Sequence, residues 1–81
     1  MNVCVRLFGA EASAAGLDSI TVDVDEPPTC RGVVDAVGRA CPALAALLPG
    51  VRVALNAEFA PPERPVRPED EVALIGLVSG G

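Results

Sequence analysis

The chain contains no histidine, no lysine, no tryptophan and no tyrosine, and its only aromatic residues are Phe8 and Phe59. Without histidine there is no Ser-His or Cys-His nucleophile pair and no imidazole metal site, so neither self-contained catalysis nor a bound metal is expected. An acidic chain, with formal net charge -5 and all six cations arginine, has little with which to neutralise phosphates or stack bases. Nucleic-acid binding is therefore not expected, whereas docking against a basic protein partner is favoured. The absence of lysine leaves the N-terminus as the only amine, so the protein cannot carry lysine-linked copies of itself.

The three cysteines, Cys4, Cys30 and Cys41, are an odd number, widely spaced and without a Cys-x-x-Cys pair. They form neither a disulfide framework nor a zinc knuckle, and each reads as a small buried hydrophobe in a reducing compartment. Cys30 stands apart because it falls where a helix should begin, a position that can lower a thiol pKa. The longest apolar run, Val72 to Val78, is too short to span a bilayer. Met1-Asn2 leads into strand-like sequence with no basic leader, and a cytoplasmic protein without membrane association is expected.

What is present is patterning for one small core. The 81 residues suit a single domain, 1–81. Asn2 to Phe8 alternates, with Val3, Val5 and Leu7 on one face and Cys4, Arg6 and Phe8 on the other, as a strand does. Gly9 to Gly16 reads as a connecting loop with room for one helical turn, and Ser19 to Val24 alternates again until Asp25-Glu26-Pro27-Pro28 ends it. The apolar period then changes from two to about 3.6. Thr29 is a plausible N-cap, and Val33, Val34, Val37, Ala40 and Cys41 form one stripe of the main helix. Gly38 within it costs about 1 kcal/mol relative to alanine, which predicts a close helix-to-sheet approach there.

Pro42 can begin a second short helix, with Leu44, Leu47 and Leu48 as its apolar side and Pro49-Gly50 as its stop. Val51 to Asn56 is a third alternating strand. The proline-rich stretch from Ala57 to Pro68 holds at most short edge pieces. A Pro68-led turn then delivers the chain to a final strand, Glu71 to Val78, apolar enough to be central and covered on much of both faces. The compact solution is an α+β fold: a mixed sheet of four to five strands, first and last strands adjacent at its centre, one main helix across one face and a second short helix. This is the ubiquitin-like β-grasp. At least one of Phe8 and Phe59 is expected to be buried, while Arg6 and Arg52 should lie on a sheet face.

The chain closes on Leu77-Val78-Ser79-Gly80-Gly81, read as a flexible tail over 77–81. Glycines lack a Cβ, so such a tail can lie extended in a channel too narrow for side chains. The strand order, together with Val5-Arg6-Leu7-Phe8, Cys41-Pro42-Ala43-Leu44, Val53-Ala54-Leu55-Asn56-Ala57-Glu58, Asp70-Glu71-Val72-Ala73-Leu74-Ile75 and Val78-Ser79-Gly80-Gly81, resembles the small sulfur-carrier subunit of molybdopterin synthase over nearly the whole length.

The resemblance implies a cycle. A ubiquitin-activating-type adenylyltransferase would use ATP and magnesium, cofactors of that enzyme and not of this chain, to adenylate the Gly81 carboxylate. A sulfur donor protein would then convert it to a thiocarboxylate. Val78, Ser79 and Gly80 would insert with Gly81 into the large synthase subunit, in a heterotetramer, and donate sulfur to a cyclic pterin precursor in molybdenum cofactor biosynthesis. Phe8, Phe59, Arg6 and Arg52 are the candidate docking residues. The positions before Val-Ser-Gly-Gly that are usually proline are Gly76-Leu77 here, and the loop after the first strand keeps only an acid, Glu11, of the family's Arg-Glu pair. Two alternatives stand beside this reading: a sulfur carrier for thiamine thiazole synthesis, and a ubiquitin-like modifier joined to target lysines.

Overall fold

Alternating valines and leucines in the first strand set the layering of the whole molecule. In the structure, a computed structural model that describes residues 1–76, β1 (Asn2–Leu7) turns Val3, Val5 and Leu7 inward and Asn2, Cys4 and Arg6 outward. It is followed by α1 (Gly9–Ala15), β2 (Ser19–Asp23), α2 (Cys30–Ala40), two 3-10 turns (Pro42–Leu44 and Leu48–Gly50), β3 (Val51–Leu55), β4 (Glu58–Phe59) and β5 (Val72–Gly76).

The strands form one sheet in the order β2-β1-β5-β3-β4. β1 runs parallel to β5, with Val5 opposite Val72 and Leu7 opposite Leu74, and antiparallel to β2. β5 is antiparallel to β3, with Val53 opposite Leu74. This places Val3, Val5, Leu7, Val53, Leu55, Val72 and Leu74 on one face, where they pack with Val33, Ala36 and Val37 of α2 and with Leu44. The mixed β-grasp sheet, its adjacent first and last strands and the helical layer on one face follow the expectation from patterning.

α2 begins where its cap predicts: Thr29 Oγ1 accepts from the Gly32 backbone N–H at 3.1 Å, satisfying one of the orphan donors of the first turn. Four details differ from the sequence reading. Residues 9–16 hold α1, an alanine-rich helix closed by Gly16 in the left-handed region (φ 70°), whose N–H donates to Ala12 C=O at 2.9 Å. Alanine's propensity and the glycine cap are sufficient locally, but seven residues are too few for helical periodicity to declare itself. The segment after Pro42 is two 3-10 turns in place of a continuous short helix.

Gly38 does allow a close approach, but to Leu48 of the second 3-10 turn: a Cβ there would lie 2.9 Å from Leu48 Cδ1. The expected tight contact with the sheet is replaced by one with the connection. β5 is buried through Val72 and Leu74 only; Ala73, Ile75 and Gly76 are half-buried, because among the described residues no helix packs on the opposite sheet face. Among the described residues no helix is long and apolar enough to cross a membrane.

Candidate functional site

Residues 77–81 lie outside the described residues, and with them Val78, Ser79, Gly80 and Gly81, the predicted tail and its reactive end. What the structure presents is the root of that tail. β5, held by β1 on one side and β3 on the other, carries the chain out at Gly76, which pairs with Val51.

On the uncovered sheet face the four predicted docking residues come together. Phe8 and Phe59 are both exposed, at 45% and 53%, so the expectation that one would be buried is overturned. In the β-grasp one sheet face alone is packed by helices, and alternation puts both rings on the other. The Arg6 guanidinium carbon lies 5.7 Å from the Phe8 ring centroid, and that of Arg52 lies 4.7 Å from the Phe59 centroid, within cation–π range. Between them is an open cleft of about 420 Å³ lined by Ala54, Ala73 and Ile75, with Glu71 at its edge. An apolar centre with aromatic and arginine walls has the composition of a protein-docking surface.

A turn network braces one end of this face. Asn56 (φ 53°) and Ala57 (φ 69°) make the tight turn between β3 and β4, where two positive φ values match the right-handed strand twist. Asn56 Nδ2 donates to Asp70 Oδ1 at 3.0 Å, the Glu71 N–H donates to Asn56 Oδ1 at 3.0 Å, and the Arg67 N–H donates to Asp70 Oδ2 at 2.8 Å. These donors, the Arg67 amide foremost and the Asn56 amide next, hold the Asp70 carboxyl below its usual pKa. The acidic run 69–71 is thus an exposed turn with one structural carboxylate.

Glu11 was not anticipated as a structural residue. It is the sole charged side chain buried among the described residues, 4% exposed, and its Oε1 has no hydrogen-bond partner there. It lies over Gly76: a Cβ on Gly76 would overlap Glu11 Oε1 and sit 2.8 Å from Oε2 and 2.9 Å from Cδ. Once α1 is recognised as a helix the signal is legible, since Glu11 shares the inward stripe with Ala12 and Ala15.

The cysteines divide. Cys30 is fully buried, Cys41 half-buried and Cys4 exposed on the outer face of β1, so the uniform expectation of burial fails for Cys4, whose position in the alternation points it outward. At the α2 N-terminus, burial pushes the Cys30 thiol above its usual pKa, only partly opposed by the Arg64 charge. The lowering that a helix N-terminus might bring does not prevail there. Among the described residues no cluster of three or more His, Cys, Asp or Glu side chains is placed to hold a metal ion.

The ThiS family model matches residues 5–81. The chain belongs to the ThiS family. Among solved structures this ThiS-family chain is similar to SAMP1 from Haloferax volcanii, at 31% identity and TM-score 0.84 over 100% of both chains. It is also similar in fold to a putative molybdopterin converting factor subunit 1 from Pyrococcus furiosus, at 16% identity, TM-score 0.80, 95% of this chain and 98% of that one. A third likeness, at 22% identity and TM-score 0.68 over 100% of both chains, is to a structure of the complex of subunits 1 and 2 of the molybdopterin-converting factor from Helicobacter pylori. No curated protein matches the chain in sequence.

Proposed function

We propose that the protein is a sulfur carrier of molybdenum cofactor biosynthesis, the small subunit of a molybdopterin synthase. The observation that carries this reading is a family match running through residue 81 on a β-grasp that sets an aromatic and arginine face beside the root of the tail. A free carboxylate, ionised above a reference pKa of about 3.5, is a poor electrophile. In adenylation by an ATP- and magnesium-dependent enzyme, a Gly81 carboxylate oxygen attacks the α-phosphorus of ATP and expels pyrophosphate, leaving an acyl adenylate from which AMP is a good leaving group. A sulfur donor protein then displaces AMP and leaves a thiocarboxylate, a nucleophile on a slim tether. Val78, Ser79 and Gly80 carry it into the large subunit, where exclusion of water protects it. Phe8, Phe59, Arg6 and Arg52 dock the domain. Acids, bases and the pterin site come from partners, in keeping with a chain that has no histidine.

Intact-mass analysis after incubation with the cognate adenylating enzyme, ATP, magnesium and a sulfide source tests the proposal. Replacement of one oxygen by sulfur at Gly81 is expected; its absence would sink the carrier reading. Deleting Gly81 should abolish sulfur transfer with little change in thermal stability.

A second reading is favoured by the likeness to SAMP1, a small archaeal modifier protein, at 31% identity: Gly81, activated in the same way, ends in an isopeptide bond to target lysines. Lysine-linked conjugates in lysate, lost on deletion of Gly81, mark that outcome. Co-purification with candidate large subunits separates the molybdopterin from the thiazole acceptor.

A further inference from the structure

A buried carboxylate oxygen without a donor is unfavourable, because it forgoes the hydrogen bonds that water would give it. Glu11 Oε1 is in that position, and among the described residues nothing relieves it. All six arginines are described, yet the ion pairs among the described residues are those of the Met1 ammonium with Asp23 at 3.3 Å and Glu26 at 3.4 Å. Glu11 also lines an open cleft of about 440 Å³ together with Phe8, Gly9, Ala10, Gly50 and Gly76. Phe8 walls this cleft and the open-face cleft alike, so the two surfaces are continuous around the root of the tail.

We propose that Glu11 is the receptor carboxylate for an arginine side chain of the protein that takes up the tail. In the free chain the carboxylate rests against Gly76. When the partner arrives, a side-chain rotation turns it into the cleft it already borders. There a guanidinium can pair with it in fork geometry and lie along the Phe8 ring. Besides Phe8 the cleft is walled by glycine, alanine, Leu47 and Ile75, an apolar lining that offers a planar cation no competing polar partner. The net charge of -5 draws such a cation in. Gly76 is what permits the resting position, because any Cβ there would displace the carboxylate. Glu11 would thus hold the receiving protein beside Gly76, at the described end of β5. Naming that protein rests on the carrier reading; the existence of the cation site does not.

The test uses the full chain and a small probe. N-acetylarginine amide is titrated into isotope-labelled protein and the amide resonances followed, with neutral N-acetylcitrulline amide as control. Saturable shifts confined to the cleft, at Phe8, Gly9, Ala10, Glu11, Gly50 and Gly76, are expected with the cation alone. Glu11→Gln should weaken binding by at least about tenfold, the scale of one charge-assisted hydrogen bond. Glu11→Ala is a second neutral variant should the first fold poorly. Gly76→Ala, which moves the carboxylate toward the cleft, should bind the probe at least as well as the parent. Equal response to the citrulline control, shifts scattered over the acidic surface, or undiminished binding in both neutral variants would overturn the assignment. If the thiocarboxylate fails to form while the probe binds as described, the carrier reading falls and the cation site stands.

Discussion

The contact between Glu11 and Gly76 yields a quantitative prediction. Gly76 sits in a strand, with no positive φ to demand glycine, so backbone strain does not oppose Gly76→Ala. What opposes it is the Glu11 carboxylate, whose Oε2 and Cδ would lie 2.8 and 2.9 Å from the new methyl. The side chain must leave its resting rotamer, at a cost of about 1 kcal/mol. In a Glu11→Ala background the obstacle is gone, and the substitution should gain about 0.5 kcal/mol through the reduced entropy of the unfolded chain. That gain operates in both backgrounds, so Gly76→Ala alone costs about 0.5 kcal/mol net and the two substitutions couple by roughly 1 kcal/mol, inside the range seen for contacting residues. In thermal melts this is a fall of about 2–4 °C for the single variant, set against a rise of about the same size in the Glu11→Ala background, for a domain of this size. Urea denaturation of the four proteins closes the cycle. A cost of Gly76→Ala that is the same with and without Glu11 would refute the reasoning.

Thr29→Ala removes the acceptor for the Gly32 N–H and should lower stability by about 1 kcal/mol, read from urea midpoints. Ala57 has φ 69°, where a Cβ costs about 1 kcal/mol; Ala57→Gly should therefore stabilise by a comparable amount in the same assay. Asp70, held below its ordinary value of 3.8 by the Arg67 and Asn56 donors, contributes stability that is complete above that value and lost as pH falls through the lower folded-state pKa. Asp70→Asn should accordingly flatten the decline of melting temperature below about pH 4. An unchanged pH profile would mean that the turn network is not thermodynamically coupled to folding.

Long alternating segments were legible because one face of each is packed: the period of two in β1 and β3 directly encodes the helix-covered side. The α2 stripe and its Thr29 cap were legible for the same reason. α1 was not, because one to two turns of alanine carry no amphipathic contrast, and with α1 hidden Glu11 looked like an ordinary loop acid. Gly38 was correctly read as a close approach but matched to the wrong neighbour, since sequence does not say that the connection after Pro42 folds back over α2. The shared face of the four proposed docking residues was legible in part: alternation placed Arg6 with Phe8, but only pairing of β3 with β4 and β5 brings Arg52 and Phe59 to the same face. The expectation of a buried phenylalanine failed because aliphatic residues and Cys30 fill the core.

The parallel pairing of β1 with β5 has a mechanical consequence. On the carrier proposal, a protein that takes up residues 77–81 would pull on Gly76 at the end of β5. The ladders to β1 and β3 are then loaded lengthwise, so that several hydrogen bonds share the force at once and do not open one after another. The domain should therefore resist being unravelled by its own tail. Tension applied at the last residue is passed to the most deeply paired strand of the sheet, and a partner can grip and release the tail without unfolding what holds it.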